Sequence, residues 1–374
     1  MSGIYIHIPF CLQACHYCDF HFSTNRKPAA EMVQMICREL VLRKNYLPKA
    51  QPIQTVYFGG GTPSILPAAQ IGEIYACIRE NFDCQLLETT LEANPDDLTP
   101  EKLNALRDMG IDRLSIGIQS FNDQVLRFYN RSHTAVESLQ AIDKARKAGF
   151  RSISIDLIYG FPHADHSIWQ KDLAQTISLA PDHISSYCLT IEPGTALGVW
   201  EKKGKFNAAS DDFQAEQFEI LLQTLDKADY LQYEISNFAR HQAFSLHNSN
   251  YWKGVPYLGL GPGAHSFDGK HRGHNISNNA VYMRMLQKNK LPFQIETLDK
   301  HEQINEYLLT SLRTIWGIDT AYLTEQFGWD LRKERQNILA DMLGQDLIQV
   351  SSQAVILTNK GKLLADYLAA KLFI

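Results

Sequence analysis

Three cysteines stand close together near the start of the sequence, in CLQACHYC at residues 11–18. Thiolates with this spacing, Cys11, Cys15 and Cys18, can converge on one metal centre from a single loop. If that centre is a [4Fe–4S] cluster, three thiolates leave its fourth iron without a protein ligand, and the open iron can take a further one. The alternatives are a zinc site, with His16 or His21 as the fourth ligand, or unrelated buried cysteines.

A glycine-rich run, Gly59 to Pro63, directly follows an apolar stretch that is typical of a strand. Glycines let a ligand approach the backbone closely, and the exposed amides and carbonyls of such a turn can bind the polar end of a small molecule. The run lacks the lysine and the spacing of a nucleotide-binding phosphate loop. A tight turn without a ligand is the alternative.

The elements that must position these motifs alternate regularly between Gly3 and about Asp226. Strand-like runs lie at 3–9, 55–60, 89–94, 113–119, 152–160 and 183–190, and helix-like runs at 31–44, 70–81, 99–110, 135–149 and 167–180. Strict alternation requires parallel strands joined by helical crossovers, so an α/β fold is predicted. About six units suit either a partial barrel or an open, doubly wound sheet. In both, the carboxyl ends of the strands meet at one edge, where ligands bind.

The pattern changes twice after residue 226. Residues 227–300 are rich in Gly, Asn and His, and we expect an irregular connecting region. Residues 301–374 read as three helices, two short strands and a last helix, which resembles a winged-helix module. Seven Lys and Arg against nine Asp and Glu give this module a net charge of −2, so packing is a better prediction for it than nucleic-acid binding.

Six motifs spread over nearly the whole chain carry a resemblance to a known family: YIHIPFCLQACHYCDF, GGGTPS, LEANPD, LSIGIQSF, IDLIYGFP and HNSNYW. Together they resemble the coproporphyrinogen III oxidase-like group of the radical S-adenosylmethionine superfamily, and within it the heme chaperones. The resemblance implies a partial (β/α) barrel followed by a helical, winged-helix-like domain. It also implies a [4Fe–4S] cluster, S-adenosylmethionine at its open iron, and an electron donor.

The same resemblance assigns roles to individual residues. Gly60, Gly61 and Thr62 would bind the methionine end of S-adenosylmethionine, and Glu92 would accept hydrogen bonds from its ribose. The remaining cofactor contacts that the resemblance implies are Tyr5, Tyr17, Gln119, Arg131 and Asp156. For Glu92, Gln119, Arg131 and Asp156, a supporting or surface role is the alternative.

The resemblance also separates two activities within the group. The oxidase pattern has one more cysteine two residues after the third, where this chain has Phe20, and the sequence starts only about ten residues before the first cysteine. Both features favour a chaperone that binds heme and transfers it to an acceptor protein over the alternative, an oxygen-independent coproporphyrinogen III oxidase. HNSNYW supplies a candidate axial ligand in His247, with Tyr251 and Trp252 able to pack on a porphyrin.

Two further histidines, His265 and His7, are alternative heme ligands, and His247 could instead hold a loop by hydrogen bonds. The formal net charge of −5 gives no general attraction to nucleic acid or anionic lipid. We found no uniform apolar run of about 18 residues and no signal peptide at the N-terminus, so a cytosolic location is expected. Seven cysteines in a chain of 374 residues, three of them in one motif, do not form a disulfide framework.

Overall fold

A computed structural model describes residues 2–48 and 51–374 of the chain. It contains a large α/β core, built on a twelve-stranded mixed sheet, and a C-terminal module with a separate three-stranded sheet. Within the described ranges, no helix is long and apolar enough to cross a membrane.

Six parallel strands form the centre of the core sheet. They are β1 (Ser2–Ile8), β2 (Ile53–Gly60), β3 (Cys84–Ala93), β4 (Arg113–Gln119), β5 (Ser152–Tyr159) and β6 (His183–Cys188). These strands are neighbours in their sequence order, as in a (β/α) barrel, whereas a doubly wound sheet reverses its order at a switch point. The sheet does not close between β1 and β6, because each of them pairs with a later strand. The predicted α/β class and partial barrel are thus confirmed.

In the described part of the first 226 residues, eight α-helices connect the strands or follow them. They are α1 (Ala29–Leu42), α2 (Ala68–Asn81), α3 (Pro100–Met109), α4 (Asp123–Phe128), α5 (Ala135–Lys147), α6 (Ser167–Leu179), α7 (Ala196–Lys202) and α8 (Asp211–Asp226). The Thr99 side chain caps α3 by accepting from the Lys102 amide, and Gly110 ends it with a φ of +108°. Gly149 follows α5 with a φ of +80°. The predicted ends of these two helices are confirmed.

The two faces of β1 show how the sheet separates its core from its site. Ile4, Ile6 and Ile8 are 0–1% exposed and join α1 residues in the main hydrophobic core. The alternate residues Tyr5 and His7 point to the opposite face, where their rings lie against the backbone of β2. Side chains on a strand alternate between faces, so the barrel interior receives the polar set.

Residues 227–300 do not form the irregular region expected from the sequence, because they extend the core sheet. The segment contains β7 (Leu231–Glu234), β8 (Asn237–Ala239), α9 (Leu246–Trp252), β9 (Tyr257–Leu260), β10 (His265–Phe267), β11 (Arg272–Asn275), α10 (Asn279–Gln287) and β12 (Phe293–Glu296). β9 pairs parallel with β1, and β8 pairs antiparallel with β6. Strands of three or four residues are too short to show an alternating pattern, which is why the sequence did not predict them.

The C-terminal module follows. It contains α11 (Lys300–Leu312), β13 (Ile318–Asp319), α12 (Thr320–Phe327), α13 (Leu331–Glu334), α14 (Gln336–Gly344), β14 (Ile348–Val350), β15 (Ala354–Leu357), α15 (Asn359–Lys362) and α16 (Ala365–Leu372). The predicted pair of strands is present, and the two-residue strand β13, which was not predicted, completes an antiparallel sheet in the order β13-β15-β14. A separate hydrophobic cluster fills this module.

Candidate cofactor site

A cavity of about 520 Å³ opens at the carboxyl-terminal edge of the parallel strands. Eleven residues singled out from the sequence line it: Cys11, Cys15, Tyr17, Cys18, Gly60, Gly61, Thr62, Glu92, Gln119, Arg131 and Asp156. Residues that are up to 145 positions apart in the chain meet here because β2, β3, β4 and β5 all end at the same edge. Two predicted contacts, Tyr5 and His247, do not line the cavity.

The loop that carries the cysteines is fixed at its ends and in its middle. The Cys11 amide donates to the Ser23 carbonyl, and the Ser23 amide donates to the Pro9 carbonyl. In the middle, the His16 amide donates to the Tyr129 carbonyl at 3.1 Å, and the Asn130 side chain donates to the Ala14 carbonyl at 2.8 Å. The three cysteines are therefore presented by a loop with a defined backbone.

Each of two cysteine sulfurs accepts a hydrogen bond from the cavity wall. Thr62 Oγ1 donates to Cys11 Sγ at 3.5 Å, and Arg131 Nη1 donates to Cys15 Sγ at 3.4 Å. Burial raises the pKa of Cys11 to about 11 and that of Cys18 to about 12. Both are thus thiols at neutral pH in the metal-free protein, and metal loading would release their protons.

The two histidines that a zinc site would need are engaged elsewhere. His16 Nδ1 is hydrogen-bonded to the Phe128 carbonyl at 2.7 Å, and its ring packs 4.6 Å from that of Trp200. His21 Nε2 is hydrogen-bonded to Asn279 Oδ1 at 2.7 Å. In the described ranges, no three His, Cys, Asp or Glu side chains form a group that could hold a single metal ion. Neither imidazole therefore supports the zinc alternative.

The glycine-rich turn packs directly on the cysteine loop. The Gly61 amide donates to the Ile8 carbonyl, and a Cβ at Gly61 would lie 2.7 Å from the Phe10 carbonyl oxygen. Gly60 has a φ of +106°, and a Cβ there would lie 2.6 Å from the His7 ring. Glycine is required at both positions by the protein's own packing. A side chain at either would displace β1 or the cysteine loop as well as any ligand.

Two carboxylates face the cavity from neighbouring parts of the barrel. Glu92 accepts from the Tyr57 hydroxyl at 2.8 Å and from the Gly60 amide at 3.1 Å. Burial raises the pKa of Glu92 to about 7, with a further contribution from the nearby Asp156 and an opposing one from the Tyr57 hydrogen bond. Burial also raises the pKa of Asp156 to about 6, while hydrogen bonds from Ser185 and Ser115 oppose the shift.

Arg131 is the buried cation of the cavity wall. Its Nη2 donates to Asn94 Oδ1 at 2.6 Å and to the Gly117 carbonyl at 2.8 Å. Its Nε is buried and has no hydrogen-bond partner among the described residues. A buried donor without a partner is costly, so this group is suited to a polar ligand. Gln119, at the end of β4, has a φ of +67°, an uncommon backbone conformation for this residue type.

His247 lies beneath the barrel interior, away from the cysteine loop. Its Nδ1 is hydrogen-bonded to Thr55 Oγ1 at 2.9 Å, and its ring stacks 5.1 Å from that of Tyr57. Burial lowers its pKa to about 4, so the imidazole is neutral. The cavity that it borders measures only about 10 Å³. These contacts hold α9 against β2 and leave no space for a porphyrin at this ring.

Tyr5, a predicted S-adenosylmethionine contact, and the two alternative heme ligands His7 and His265 also lie outside the cavity. The Tyr5 hydroxyl is hydrogen-bonded to His7 Nδ1 at 3.2 Å, and its ring stacks on Tyr57. His7 is buried, and its Nε2 is hydrogen-bonded to the His21 carbonyl. His265 is exposed and lies 5.6 Å from His274 on the neighbouring strand.

Several residues that position the side chains of the cavity were not predicted from the sequence. Tyr57 orients Glu92, and Asn94 orients Arg131. Ser115 donates to Asp156 at 3.2 Å from the neighbouring strand. The position of Ser115 could have been predicted, because the alternation of side chains along LSIGIQ places it on the same face of the strand as Gln119. No sequence pattern indicates that Asn94 would pair with Arg131.

The residues present fit the cofactors that the sequence implies. Three thiols on one loop suit an iron–sulfur cluster, and the cavity beside them is of a size typical for small-molecule sites. The cavity further offers a glycine turn, two carboxylates and an unpartnered guanidinium donor. That set can bind a ligand with an amino acid end and hydroxyl groups.

Two family models match the chain. The radical SAM superfamily matches residues 5–172, and the HemN C-terminal domain matches residues 298–364. The first match contains all three cysteines together with Glu92, Gln119, Arg131 and Asp156 of the cavity, and the second corresponds to most of the C-terminal module.

Two curated relatives match nearly end to end. The heme chaperone HemW of Bacillus subtilis is 34% identical, and the alignment covers 98% of this chain and 97% of the relative. The heme chaperone HemW of Lactococcus lactis is 31% identical, with 96% and 94% covered. Among solved structures, the coproporphyrinogen III oxidase HemN of Escherichia coli, described as a radical SAM enzyme, superposes with a TM-score of 0.85. That alignment covers 100% of this chain and 90% of the oxidase at 24% identity, so it shows a shared fold.

Proposed function

The chain belongs to the HemW family of the radical SAM superfamily, and on that basis we propose that it is a heme chaperone, which binds heme and transfers it to an acceptor protein. The observation that carries the proposal is the similarity to curated heme chaperones over almost the full length of both chains.

Membership in the radical SAM superfamily implies a [4Fe–4S] cluster and S-adenosylmethionine. We assign the cluster to Cys11, Cys15 and Cys18, and the methionine end of S-adenosylmethionine to the turn formed by Gly60, Gly61 and Thr62. Glu92 would accept from the ribose hydroxyls, while Tyr17, Gln119, Arg131 and Asp156 would complete the cavity. When bound, such a cluster supplies one-electron reduction of a sulfonium. The meeting of these residues around one cavity supports the assignment.

The side chain of Phe20 favours a chaperone over the oxidase alternative. It is 67% exposed, on the cysteine loop, where it forms part of the cavity lining. The oxidase pattern has a cysteine at this position, and a phenyl ring can neither ligate a metal nor transfer a proton. The free thiols of all seven cysteines, which all lie in the described part of the chain, support a reducing compartment such as the cytosol.

The direct test is the kinetics of heme transfer. Anaerobically reconstituted protein, loaded with one heme per chain, is mixed with increasing concentrations of a heme-free b-type cytochrome, and the Soret absorbance of the product is followed. Direct transfer through a complex makes the rate rise with acceptor concentration, whereas dissociation into solvent makes it constant. Apomyoglobin, which captures free heme, is the control acceptor. A rate that is equal and constant for both acceptors would contradict the chaperone proposal.

The oxidase alternative has its own test. The reconstituted protein is supplied with coproporphyrinogen III, S-adenosylmethionine and a strong reductant under anaerobic conditions, and the tetrapyrroles are separated after oxidation. We expect no decarboxylated product. Formation of 5′-deoxyadenosine alone would not distinguish the two functions, because a bound sulfonium can be reduced whatever the physiological task. Stoichiometric protoporphyrin would overturn the chaperone proposal.

A further inference from the structure

A second cavity, of about 500 Å³, lies between the core sheet and the C-terminal module. On one side it is bordered by α9 and by strands β9 to β11, and on the other by α11, α12 and β15. Its volume falls in the range typical of small-molecule and cofactor sites. None of the residues assigned above to the cluster or to S-adenosylmethionine lines it.

Eight aromatic side chains form two facing walls of this cavity. The core wall consists of Tyr251, Trp252, Tyr257 and Phe267, and the module wall consists of Tyr307, Trp316, Tyr322 and Phe327. Several of these rings are in contact: Tyr251 lies 5.5 Å from both Trp252 and Tyr257, and Tyr307 lies 4.6 Å from Tyr322. The Tyr251 and Trp252 rings are perpendicular, with an interplanar angle of 89°, so a large, flat, unsaturated ring in the cavity would meet both ring faces and ring edges, which are favourable aromatic contacts.

The charged residues of the lining are predominantly basic. Lys253, Lys270 and Arg272 line the cavity, and Lys253 Nζ lies 4.1 Å from the centre of the Trp316 ring. Both acidic residues of the lining are engaged: Glu306 pairs with Arg272, and Asp319 accepts from the backbone amides at the start of α12. Because Glu306 occupies Arg272, Lys253 and Lys270 are the basic side chains of the lining that have no carboxylate partner among the described residues. The cavity is therefore suited to a ligand that carries carboxylates.

The cavity offers no strong ligand for iron. Among the described residues that line it there is no histidine, cysteine or methionine. Burial raises the pKa values of Tyr257, Tyr307 and Tyr322, so these three side chains are phenols at neutral pH.

We propose that this cavity, which we call the porphyrin slot, binds heme through its ring plane and its two propionates, without an iron ligand from the slot. The proposal rests on the proposed chaperone function and adds the place and mode of binding. The aromatic walls would hold the porphyrin plane, and Lys253 and Lys270 would pair with the propionates. Release to an acceptor would then require no iron–protein bond to break.

If heme binds in the porphyrin slot in this way, its iron is dispensable for affinity and its propionates are needed for it. Full-length protein is titrated separately with hemin, with metal-free protoporphyrin IX and with hemin dimethyl ester, and binding is followed by absorbance and by porphyrin fluorescence. We expect protoporphyrin IX to bind within about threefold of hemin, because stacking does not depend on the metal. We expect the ester to bind at least tenfold more weakly, because it cannot pair with the basic side chains.

Two variants test the two contacts separately, and one serves as a control. Trp316→Ala removes part of the module wall and should weaken hemin and protoporphyrin IX alike, by tenfold or more. Lys270→Glu changes an exposed residue and should weaken hemin while leaving the ester unchanged. Tyr367→Ala removes an exposed aromatic ring of the same module outside the slot and should change neither affinity. Circular dichroism shows whether each variant is folded. If Trp316→Ala does not fold, the hemin affinity of Lys270→Glu alone tests the slot.

Two outcomes would overturn the slot in different ways. If the wild-type protein binds hemin at least a hundredfold more tightly than protoporphyrin IX, and Trp316→Ala and Lys270→Glu bind hemin normally, heme is held through its iron elsewhere. The slot would then be refuted and the chaperone function retained. A wild-type protein that binds neither hemin nor protoporphyrin IX would refute the slot and the proposed function together.

Discussion

Two carboxyl groups and one guanidinium share the interior of the cofactor cavity, and their balance sets its chemistry. Glu92 and Asp156 have raised pKa values because burial disfavours their charged forms, while the Arg131 guanidinium is charged and donates to Asn94 Oδ1 and Cys15 Sγ. In a cavity of low polarity such groups are held ready for a charged ligand. S-adenosylmethionine carries a sulfonium and an ammonium, which both favour the ionised carboxylates.

Binding of S-adenosylmethionine should therefore depend on pH through Glu92. Its pKa of about 7 means that it is ionised above neutrality and becomes protonated below it. We expect affinity for the cluster-loaded protein to be constant above about pH 8 and to fall by up to about tenfold per unit below pH 7. Anaerobic calorimetry between pH 6 and 8.5 measures the slope. Glu92→Gln should bind more weakly with a flat profile, and the same slope in that variant would assign the titration to another group, such as Asp156.

The cysteine assignment is tested against a cysteine in the same cavity. Cys188 also lines the cavity but lies outside the motif, at the end of β6. Cys15→Ser should abolish cluster formation, because a serine hydroxyl is a poor ligand for iron, whereas Cys188→Ser should retain about four irons per chain. Iron and sulfide analysis after anaerobic reconstitution gives the counts. Loss of the cluster in both variants, or in neither, would contradict the assignment.

The sequence predicted the residues of the cavity better than their partners. Cysteine spacing is a local pattern, so Cys11 could be predicted from the sequence, whereas Glu92 and Arg131 were singled out by the family resemblance. Hydrogen bonds such as that from Tyr57 to Glu92 join side chains on different strands. Such hydrogen bonds depend on the exact register between neighbouring strands, which cannot be read from the pattern of strand-like runs.

At the scale of elements, α9 joins the two cavities. Its first turn holds His247 against Tyr57, whose hydroxyl donates to Glu92 of the cofactor cavity, and its last turn contributes Tyr251 and Trp252 to the porphyrin slot. The amides of Leu246 and His247 both donate to the buried Glu88 carboxylate at 3.0 Å. In the motif HNSNYW, His247 therefore packs against the core sheet, whereas Tyr251 and Trp252 border the slot.

Because His247 packs against β2 and does not line the slot, a variant at this position should change stability and not heme binding. His247→Ala removes a buried ring and its hydrogen bond to Thr55, so we expect the free energy of unfolding to fall by about 2–4 kcal/mol. The Soret band of bound hemin should keep its position, because the ring does not reach the slot. Urea unfolding and absorbance on one sample measure both, with the exposed His265→Ala as the control. A shifted Soret band with unchanged stability would identify His247 as a heme ligand.

The short strands between residues 231 and 296 are the elements that could not be predicted from the sequence. The six parallel strands of the core were predicted from strand-like runs of six residues or more, and all six are present. In contrast, β10 contains only His265, Ser266 and Phe267, and the paired strand β11 contains Arg272 to Asn275. These residues form strands because neighbouring strands supply partners for their backbone groups, a tertiary effect.

At the scale of the whole molecule, the C-terminal module acts as one wall of the slot, and its acidic balance agrees with a packing role. Two ion pairs join it to the core: Arg272 of β11 pairs with Glu306 of α11, and Arg313, just after α11, pairs with Glu234 of β7 at 3.1 Å. The Arg313 guanidinium lies 5.8 Å from the centre of the Trp252 ring, in the core wall. The position of the module and the shape of the slot thus depend on shared contacts.

Arg313→Ala should therefore affect stability and heme binding together while leaving the cofactor cavity intact. Glu234 has a side chain that is only 1% exposed, so loss of its partner leaves a buried carboxylate with only neutral donors, at a cost of about 3 kcal/mol. We expect a lower unfolding midpoint in calorimetry and weaker binding of hemin, with unchanged affinity for S-adenosylmethionine. Asp366→Asn is the matched control, because Asp366 pairs with the same arginine but is 71% exposed, and such pairs contribute less than about 1 kcal/mol. If Arg313→Ala lowered the unfolding midpoint but bound hemin as tightly as the wild type, the position of the module would not control the slot.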